Sequence, residues 1–357
     1  WLYVTARNKA IDILRRRQVK HKIDNELSAL LNSEYSLAFT LNELFSEAEI
    51  KDSQLRMMFA CCHPSVSADA QVSFILKTLC GMSVHEIADA FLTSEDTIEK
   101  RLYRTREKFR EQKAKLVYPG AEAMAERLGT VLKTLYLLFN EGYNSSHPKK
   151  LIREDLCAEA MRLGILLTEN GKTDVPQTNA LMALMCFHVS RFEQRVDESD
   201  FIVLLKDQDR TKWNQYLIAK GNYYLNRAAE GDMLHDFHIE AAIAALHANA
   251  KNYEATDWKT ILQMYDLLLH RTGNPVVALN RCVALGEAEG YAVAIDALKN
   301  LKGFEGNRHY NMALGEMYFK LHNTAQAVSY FETALTLTTS AAEKNLIQKK
   351  LSEAQTV

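Results

Sequence analysis

With 357 residues, the chain is long enough to bury more than one hydrophobic core, so we expect two or three domains. Only 14 residues are Gly and 5 are Pro, whereas Ala, Leu, Glu and Lys are abundant; this composition excludes a sheet-rich fold and predicts an all-α protein. The 43 Lys and Arg nearly balance the 45 Asp and Glu, so cations indicate a nucleic-acid partner only where they cluster.

The first predicted helix covers residues 1–17 and has one apolar face and a basic end. Its apolar residues are Leu2, Ala6, Ile13 and Leu14. One helix cannot bury such a face alone, so we expect its partner helices on a preceding segment. Residues 18–51 are polar and acidic with scattered leucines, which predicts a linker with at most one short helix.

Residues 52–116 are predicted to form one compact domain of four helices. Residues 52–59 and 68–79 carry apolar side chains at helical spacing, and Pro64 separates them. Residues 81–110 fit two further helices that fold tightly against each other. This arrangement is typical of a helix-turn-helix domain.

The second helix of this pair has an apolar inner face and a cationic outer face. Ser94 can cap the helix, and Ile98 and Leu102 lie one turn apart on its inner face. Its cations are Lys100, Arg101, Arg104, Arg106, Lys108 and Arg110. Such a helix suits the major groove of DNA. The alternative is an amphipathic hairpin with a solvated charged face, and Leu92, where many such motifs have Gly, favours it.

The remainder of the chain predicts a helical extension over residues 117–250, followed by tetratricopeptide-like repeats over residues 251–357. In the best repeat, small residues lie where two helices cross and aromatic residues fill the space between them. These positions are Leu314, Gly315, Tyr318, Ala327, Phe331 and Ala334. Stacked repeats often form binding grooves, but they also cover their own neighbours, and both uses stay open here.

Several patterns that suggest chemistry are incomplete. His85 and Glu86 resemble the start of a zinc-hydrolase helix, but the second His is missing. The six cysteines form no C-x-x-C pair, which predicts buried reduced thiols. No nucleophile, base and orienting group occur together, so we predict a protein that is not an enzyme and that uses no metal or cofactor. The sequence has no transmembrane run, signal peptide or lipidation motif, so we expect a cytoplasmic protein without a membrane partner.

The order of the segments closely resembles that of the extracytoplasmic-function sigma factors that carry a long C-terminal extension. The motifs are W-L-x-V-x-A-R-N-x-A-I-D-x-L-R-R at the start, L-R-M-M-F-A-C-C-H-P at residues 55–64, and LFNEGY, LLKDQDRTKW, IEAAIAALHA, TDW and PVVALNR in the extension. The resemblance implies that residues 1–17 are the last helix of the sigma-2 domain, residues 18–51 the linker and residues 52–116 the sigma-4 domain. It also implies promoter recognition as a subunit of bacterial RNA polymerase.

The same resemblance assigns candidate DNA contacts. Near the minus-10 element they are Arg7, Asn8 and Asp12. In the minus-35 major groove they are Glu99, Lys100, Tyr103 and Arg104, and on phosphates Thr97, Arg101 and Arg106. Glu99 departs from the Arg expected there. A carboxylate accepts a hydrogen bond from cytosine rather than donating to guanine, so the promoter sequence would differ accordingly.

Two motifs of the extension interleave polar residues with apolar helical faces. We hypothesise that they meet in one structural polar cluster, because charges inside a helical domain need partners. Its members are Asn140, Glu141, Tyr143, Asp207, Asp209, Arg210 and Trp213. We expect Asp207, Asp209, Arg210 and Lys212 to form an internal salt-bridge network rather than a ligand site.

The extension is then expected to be a rigid body that lies against sigma-4, limits access to the recognition helix and regulates activity. A regulatory protein or ligand would act on it. The alternative function is a tetratricopeptide-like interaction module that the helix-turn-helix tethers to DNA. The sigma-2 helix ahead of the linker has no purpose in that alternative.

Overall fold

A computed structural model describes residues 48–111, 121–146, 151–197, 201–338 and 340–356. The chain divides into two compact units, Trp1–Gln54 and Leu55–Val357, and most of the first unit lies outside the described residues. In the described part of the chain there are fifteen α-helices and no strand, only one isolated bridge between Val196 and Ile202. The predicted all-α class is confirmed.

Four helices form the helix-turn-helix region predicted from the sequence. They are α1 (Ala48–Cys61), α2 (Ala68–Thr78), α3 (Val84–Ala90) and α4 (Glu95–Glu111). In α4 the buried residues recur at helical spacing and fall on one side, whereas α2 is buried on all sides from Ala70 to Leu76. The large side chains that are fully buried here are Met58, Phe59, Ile75, Leu76, Met82, Ile87 and Ile98.

Of the next five helices, four pack around a central one that is buried on almost all sides. They are α5 (Ala121–Tyr143), α6 (Glu154–Thr168), α7 (Pro176–Val189), α8 (Gln215–Ala228) and α9 (Asp236–Asn249). Helix α7 packs against the other four, as expected of a helix without a polar face. Helices α7 and α8 approach closely at Gly221, where an added Cβ atom would lie 2.6 Å from the ring of Phe187.

The last six helices are stacked so that each packs on the next along the chain. They are α10 (Trp258–Thr272), α11 (Pro275–Glu289), α12 (Tyr291–Lys299), α13 (Arg308–Lys320), α14 (Thr324–Leu337) and α15 (Ala341–Thr356). Leu314, Ala327, Phe331 and Ala334 are all buried. A Cβ atom added at Gly315 would lie 2.5 Å from the Phe331 ring, so Gly allows this crossing. The hairpin of α13 and α14 thus has the spacing that the sequence predicts. Its assignment to the tetratricopeptide class stays a prediction.

The extension packs against the helix-turn-helix region through α5, which contacts α2 and α3. Lys133 Nζ lies 2.8 Å from Asp69 Oδ1, and Arg127 Nη1 donates to the Phe59 carbonyl at 3.0 Å. Arg153, just before α6, forms an ion pair with Glu86 of α3. The expected contact is therefore present. The outer face of α4 is nevertheless exposed, so the expectation that the extension limits access to the recognition helix is wrong for the described residues.

Candidate nucleic-acid interface

The turn between α3 and α4 is built from local hydrogen bonds. Helix α3 begins with a capping box, in which Ser83 N–H donates to Glu86 Oε2 at 2.6 Å and Glu86 N–H donates to Ser83 Oγ at 3.1 Å. It ends where Leu92 N–H donates to the Asp89 carbonyl and Thr93 N–H to the Ala88 carbonyl. This ending requires the left-handed conformation, and Leu92 adopts it with φ +51°.

Helix α4 is oriented by its own first turn. Ser94 Oγ accepts from Thr97 N–H at 3.3 Å and contacts Thr97 Oγ1 at 2.8 Å, so the predicted N-cap is confirmed. Acidic residues occupy the first turn and Lys108 and Arg110 the last, which suits the helix dipole at both ends. Thr97 thus serves as a cap partner as well as a candidate phosphate contact.

The two faces of α4 differ as the sequence predicts. Ile98, Leu102 and Thr105 are buried against α2 and α3. The exposed residues of the outer face are Thr97, Glu99, Lys100, Tyr103, Arg104, Arg106, Lys108 and Arg110. This face is free to meet a ligand in the described part of the chain.

Arg101 differs from the other cations of α4 because its guanidinium turns inward. Its Nη1 donates to Ser73 Oγ at 3.2 Å, and its Cζ lies 4.9 Å from the centre of the Phe91 ring. This arrangement holds α4 to α2 and to the turn. Arg101 thus helps to position the recognition helix, and its predicted phosphate contact stays a prediction.

The other cations of α4 differ in whether an ion pair occupies them before DNA binds. Lys100 Nζ forms an exposed ion pair with Asp96 at 2.6 Å, an interaction that solvent weakens and DNA can replace. Arg104 and Arg106 have no ion pair with any described residue. The minus-10 candidates Arg7, Asn8 and Asp12 lie outside the described residues.

The predicted polar cluster is only partly formed. Arg210 donates to the carbonyls of His247 and Ala250 at 2.7 and 3.2 Å and to Thr256 Oγ1 at 3.0 Å. Its partners are carbonyl and hydroxyl oxygens, because it closes the C-terminal end of α9. Of the expected internal salt-bridge network, Arg210 forms no ion pair among the described residues, and only the exposed pair of Asp209 and Lys212 is present.

The carboxylates of the predicted polar cluster face solvent or their own loop. Asp209 is exposed and caps the 3₁₀ turn at Thr211, 3.7 Å from Lys212 Nζ. Glu141 is buried and accepts from Ser145 and Ser146, and its burial raises the pKa of its carboxyl.

Arg191, which sequence reasoning missed, links the two motifs. It donates to the Tyr143 hydroxyl and lies 3.5 Å from Gln208 Oε1. Arg195 donates to the Tyr143 carbonyl and lies with its Cζ 3.9 Å from the centre of that ring. Arg191 and Arg195 lie one turn apart and follow directly after the helix Pro176–Val189. This sequence pattern could have indicated that they link the two motifs. Asn140, Tyr143 and Trp213 also line one shared cavity.

The chemistry of the other side chains is limited. All six cysteines are buried and free, as predicted, and burial raises the pKa of Cys61 and Cys62 to about 12. Among the residues that the structure describes, no group of three or more His, Cys, Asp or Glu could hold a metal ion. No described helix combines the length and the apolar character that a membrane-spanning segment requires.

Comparison with known proteins places these features in a family. Residues 56–109 match the family described as sigma-70, region 4, a domain of transcription factors rather than of enzymes. Residues 127–229 match a family of unknown function (DUF6596). An uncharacterized protein of Rhizobium meliloti (strain 1021) is 34% identical over 354 residues, which cover 98% of this chain and 82% of the relative. No solved structure matches the chain. The chain therefore belongs to one family with the Rhizobium meliloti protein, and it carries a sigma-70 region 4 domain at residues 56–109.

Proposed function

We propose that the protein is an RNA polymerase sigma factor of the extracytoplasmic-function type, which directs promoter recognition and transcription initiation and has no catalytic activity of its own. The observation that carries the proposal is the exposed cationic face of α4 within sigma-70 region 4. Promoter DNA and the bacterial RNA polymerase core are its partners. The resemblance of residues 1–17 to a sigma-2 helix supports a contact with the minus-10 element.

Side chains of α4 divide into two proposed roles. Glu99, Lys100, Tyr103 and Arg104 lie at adjacent exposed positions in the middle of the helix, where side chains reach base edges in the major groove. Arg106 lies further toward the C-terminal end and is proposed to contact phosphate. Base contacts determine the preferred sequence, whereas phosphate contacts add affinity for any sequence.

The extension is proposed to regulate this activity through its contact with α2 and α3. Lys133 connects the two regions twice, since its Nζ pairs with Asp69 and lies 5.5 Å from the centre of the Phe91 ring in the turn. A change in α5 would therefore be felt at the turn that orients α4. In this mechanism the extension regulates DNA binding without covering the exposed face of α4.

Two Arg to Ala variants separate the proposed roles. The promoter is first identified by sequencing the transcripts made when the protein is overproduced in its host. Binding of the whole chain to a duplex of that minus-35 element and to a scrambled duplex is then measured by fluorescence anisotropy. We expect Arg104→Ala to weaken binding to the matched duplex by about 1 to 3 kcal/mol and to remove the preference for it. Arg106→Ala should weaken binding to both duplexes alike.

The control is Arg308→Ala, which changes the first residue of α13. It should leave the affinities for both duplexes unchanged. Equal losses for Arg104→Ala and Arg106→Ala on both duplexes would contradict the two roles. Co-purification with core polymerase distinguishes the alternative function. A chain that binds DNA but never the polymerase would support a tethered interaction module.

A further inference from the structure

A cavity of about 1100 Å³ extends from the helix-turn-helix turn into the helices of the extension. Phe91 and Leu92 of the turn line one part of it, and Tyr143, Arg191 and Trp213 line another. Its volume lies at the upper end of pockets that hold small organic molecules. None of the roles proposed for α4 explains why the extension contains such a space.

Arg191 is the arginine that lines this part of the cavity, and it has no ion-pair partner among the described residues. Arg191 and Arg195 both lie over the Tyr143 ring, with Cζ 5.6 and 3.9 Å from its centre. Arg210, which like Arg195 is not among the residues that line the cavity, lies 5.2 Å from the centre of the Trp213 ring. In the described part of the chain, none of these three guanidinium groups is paired with a carboxylate; their hydrogen bonds go to uncharged oxygens. Arg191 is half-buried, and a sheltered cation is normally paired, so an anion suits the cavity in front of it.

Two buried polar atoms in the same part of the cavity lack a hydrogen-bond partner among the described residues. They are Trp213 Nε1 and His247 Nδ1, and Trp213 is only 2% exposed. The indole nitrogen can only donate, so its partner must be an acceptor. A buried donor without an acceptor costs about 1 to 3 kcal/mol, and a ligand oxygen would remove this cost.

The acids of the cavity lie elsewhere. Asp69 is paired with Lys133, and Asp236 with Arg271 at 2.8 Å. Glu240 accepts from the Tyr136 hydroxyl at 2.8 Å. Glu240 precedes His247 by two helical turns, or roughly 10 Å along α9. These carboxylates therefore leave the surroundings of Arg191 cationic.

We propose that this cavity binds a small organic anion with an aromatic body, whose anionic group lies between Arg191 and Trp213 Nε1. Tyr143, Phe187 and Leu205 offer the apolar wall for the body. The ligand is an aromatic carboxylate or a molecule of similar chemistry. Because the cavity also reaches the turn at Phe91, a bound molecule would influence α4; that consequence rests on the proposed function, whereas binding does not.

Calorimetry with two probes of equal ring size tests the proposal on the whole chain. The probes are 2-naphthoate, which is anionic, and 2-naphthylmethanol, which is neutral. We expect 2-naphthoate to bind about tenfold or more tightly than the alcohol, because a hydrogen bond to a charged group contributes about 1.5 to 3 kcal/mol. Equal affinities, or no heat from either probe at millimolar concentration, would overturn the proposal.

Variants locate the anionic group within the cavity. Arg191→Gln should remove the preference for 2-naphthoate and leave binding of the alcohol unchanged. Trp213→Phe keeps an aromatic wall but removes the donor, so it should weaken binding of 2-naphthoate about tenfold and decide the matter even if Arg191→Gln does not fold. Arg308→Gln is the matched control outside the cavity and should bind both probes as the parent does. A preference that survives both cavity variants would place the anion elsewhere and overturn the assignment.

Discussion

Glu240 gives the extension a pH dependence that a single substitution can isolate. Burial raises the pKa of its carboxyl from 4.5 to about 7, although the hydrogen bond from Tyr136 lowers it in part. The folded chain thus holds this proton more tightly than the unfolded chain does. Linkage then requires the contribution of Glu240 to the free energy of unfolding to fall as pH rises from about 4.5 to about 7, because the folded state must ionise a half-buried acid. His188 and His247, whose pKa values burial lowers to about 3 and about 4, contribute with the opposite sign, so the Glu240 contribution is isolated only by substitution.

Replacing Glu240 by Gln tests this expectation, since Gln keeps an acceptor for the Tyr136 hydroxyl and never ionises. We expect Glu240→Gln to raise the free energy of unfolding at pH 8 by about 1 to 3 kcal/mol and to change it little at pH 4.5. Urea unfolding at a series of pH values measures the difference. Glu332→Gln, which changes an exposed carboxylate, is the control. A pH-independent effect of Glu240→Gln would contradict the raised pKa.

At the scale of the element, the turn between α3 and α4 contains a conformational cost. Leu92 has φ +51° and is 70% exposed, so its side chain gains little from packing while the left-handed backbone costs roughly 1 to 2 kcal/mol. Gly adopts the same conformation without that cost. The hydrogen bonds that end α3 involve only backbone atoms here and would persist in a Gly variant.

We expect Leu92→Gly to raise the free energy of unfolding by up to about 1 kcal/mol, with the greater freedom of Gly in the unfolded chain offsetting part of the gain. The midpoint of urea unfolding measures it. The matched control is Leu321→Gly, at an exposed helix end with φ −90°, where Gly brings no relief and should destabilise. Equal effects of the two substitutions would mean that the turn at Leu92 is unstrained.

At the scale of the whole molecule, the extension is joined to the helix-turn-helix by ion pairs of unequal burial. The side chains of Arg153 and Glu86 are 19% and 14% exposed, whereas those of Lys133 and Asp69 are 46% and 50% exposed. Glu86 also accepts from Ser83 N–H, so the first pair is coupled to the cap of α3. Breaking a sheltered pair leaves one poorly solvated charge without its partner, whereas breaking an exposed pair costs little.

We therefore expect Arg153→Gln to lower the protection of α3 and α4 amides against hydrogen exchange by about 1 to 3 kcal/mol and to leave α10 to α15 unchanged. Lys133→Gln, in the same interface, should change it by less than about 1 kcal/mol. Hydrogen exchange with mass spectrometry resolves the two regions. If Arg153→Gln left α3 and α4 as protected as before, the sheltered pair would have no part in joining the extension to them.

The predictions that succeeded from the sequence rest on local patterns. The helix α4, its cap at Ser94 and its buried Ile98 and Leu102 follow from the spacing of apolar residues along a few turns. The crossing of Gly315 and Phe331 follows from the same kind of spacing within one hairpin. Such patterns determine the class of the fold and the existence of a cationic helix face, because neighbours in sequence are also neighbours on a helix.

Only the tertiary structure decided which distant groups meet. Arg153 and Glu86 are 67 residues apart in sequence, and Arg191 and Tyr143 are 48 apart, so no local periodicity relates them. The inward turn of Arg101 follows from the position of Ser73 on a different helix, and Arg210 takes no part in the expected network because carbonyls at the end of α9 accept its hydrogen bonds. The cavity arises in the same way: its walls come from helices, the turn at Phe91 and the 3₁₀ segments around Leu205 and Trp213, and the unpaired Trp213 nitrogen exists only where these parts are assembled.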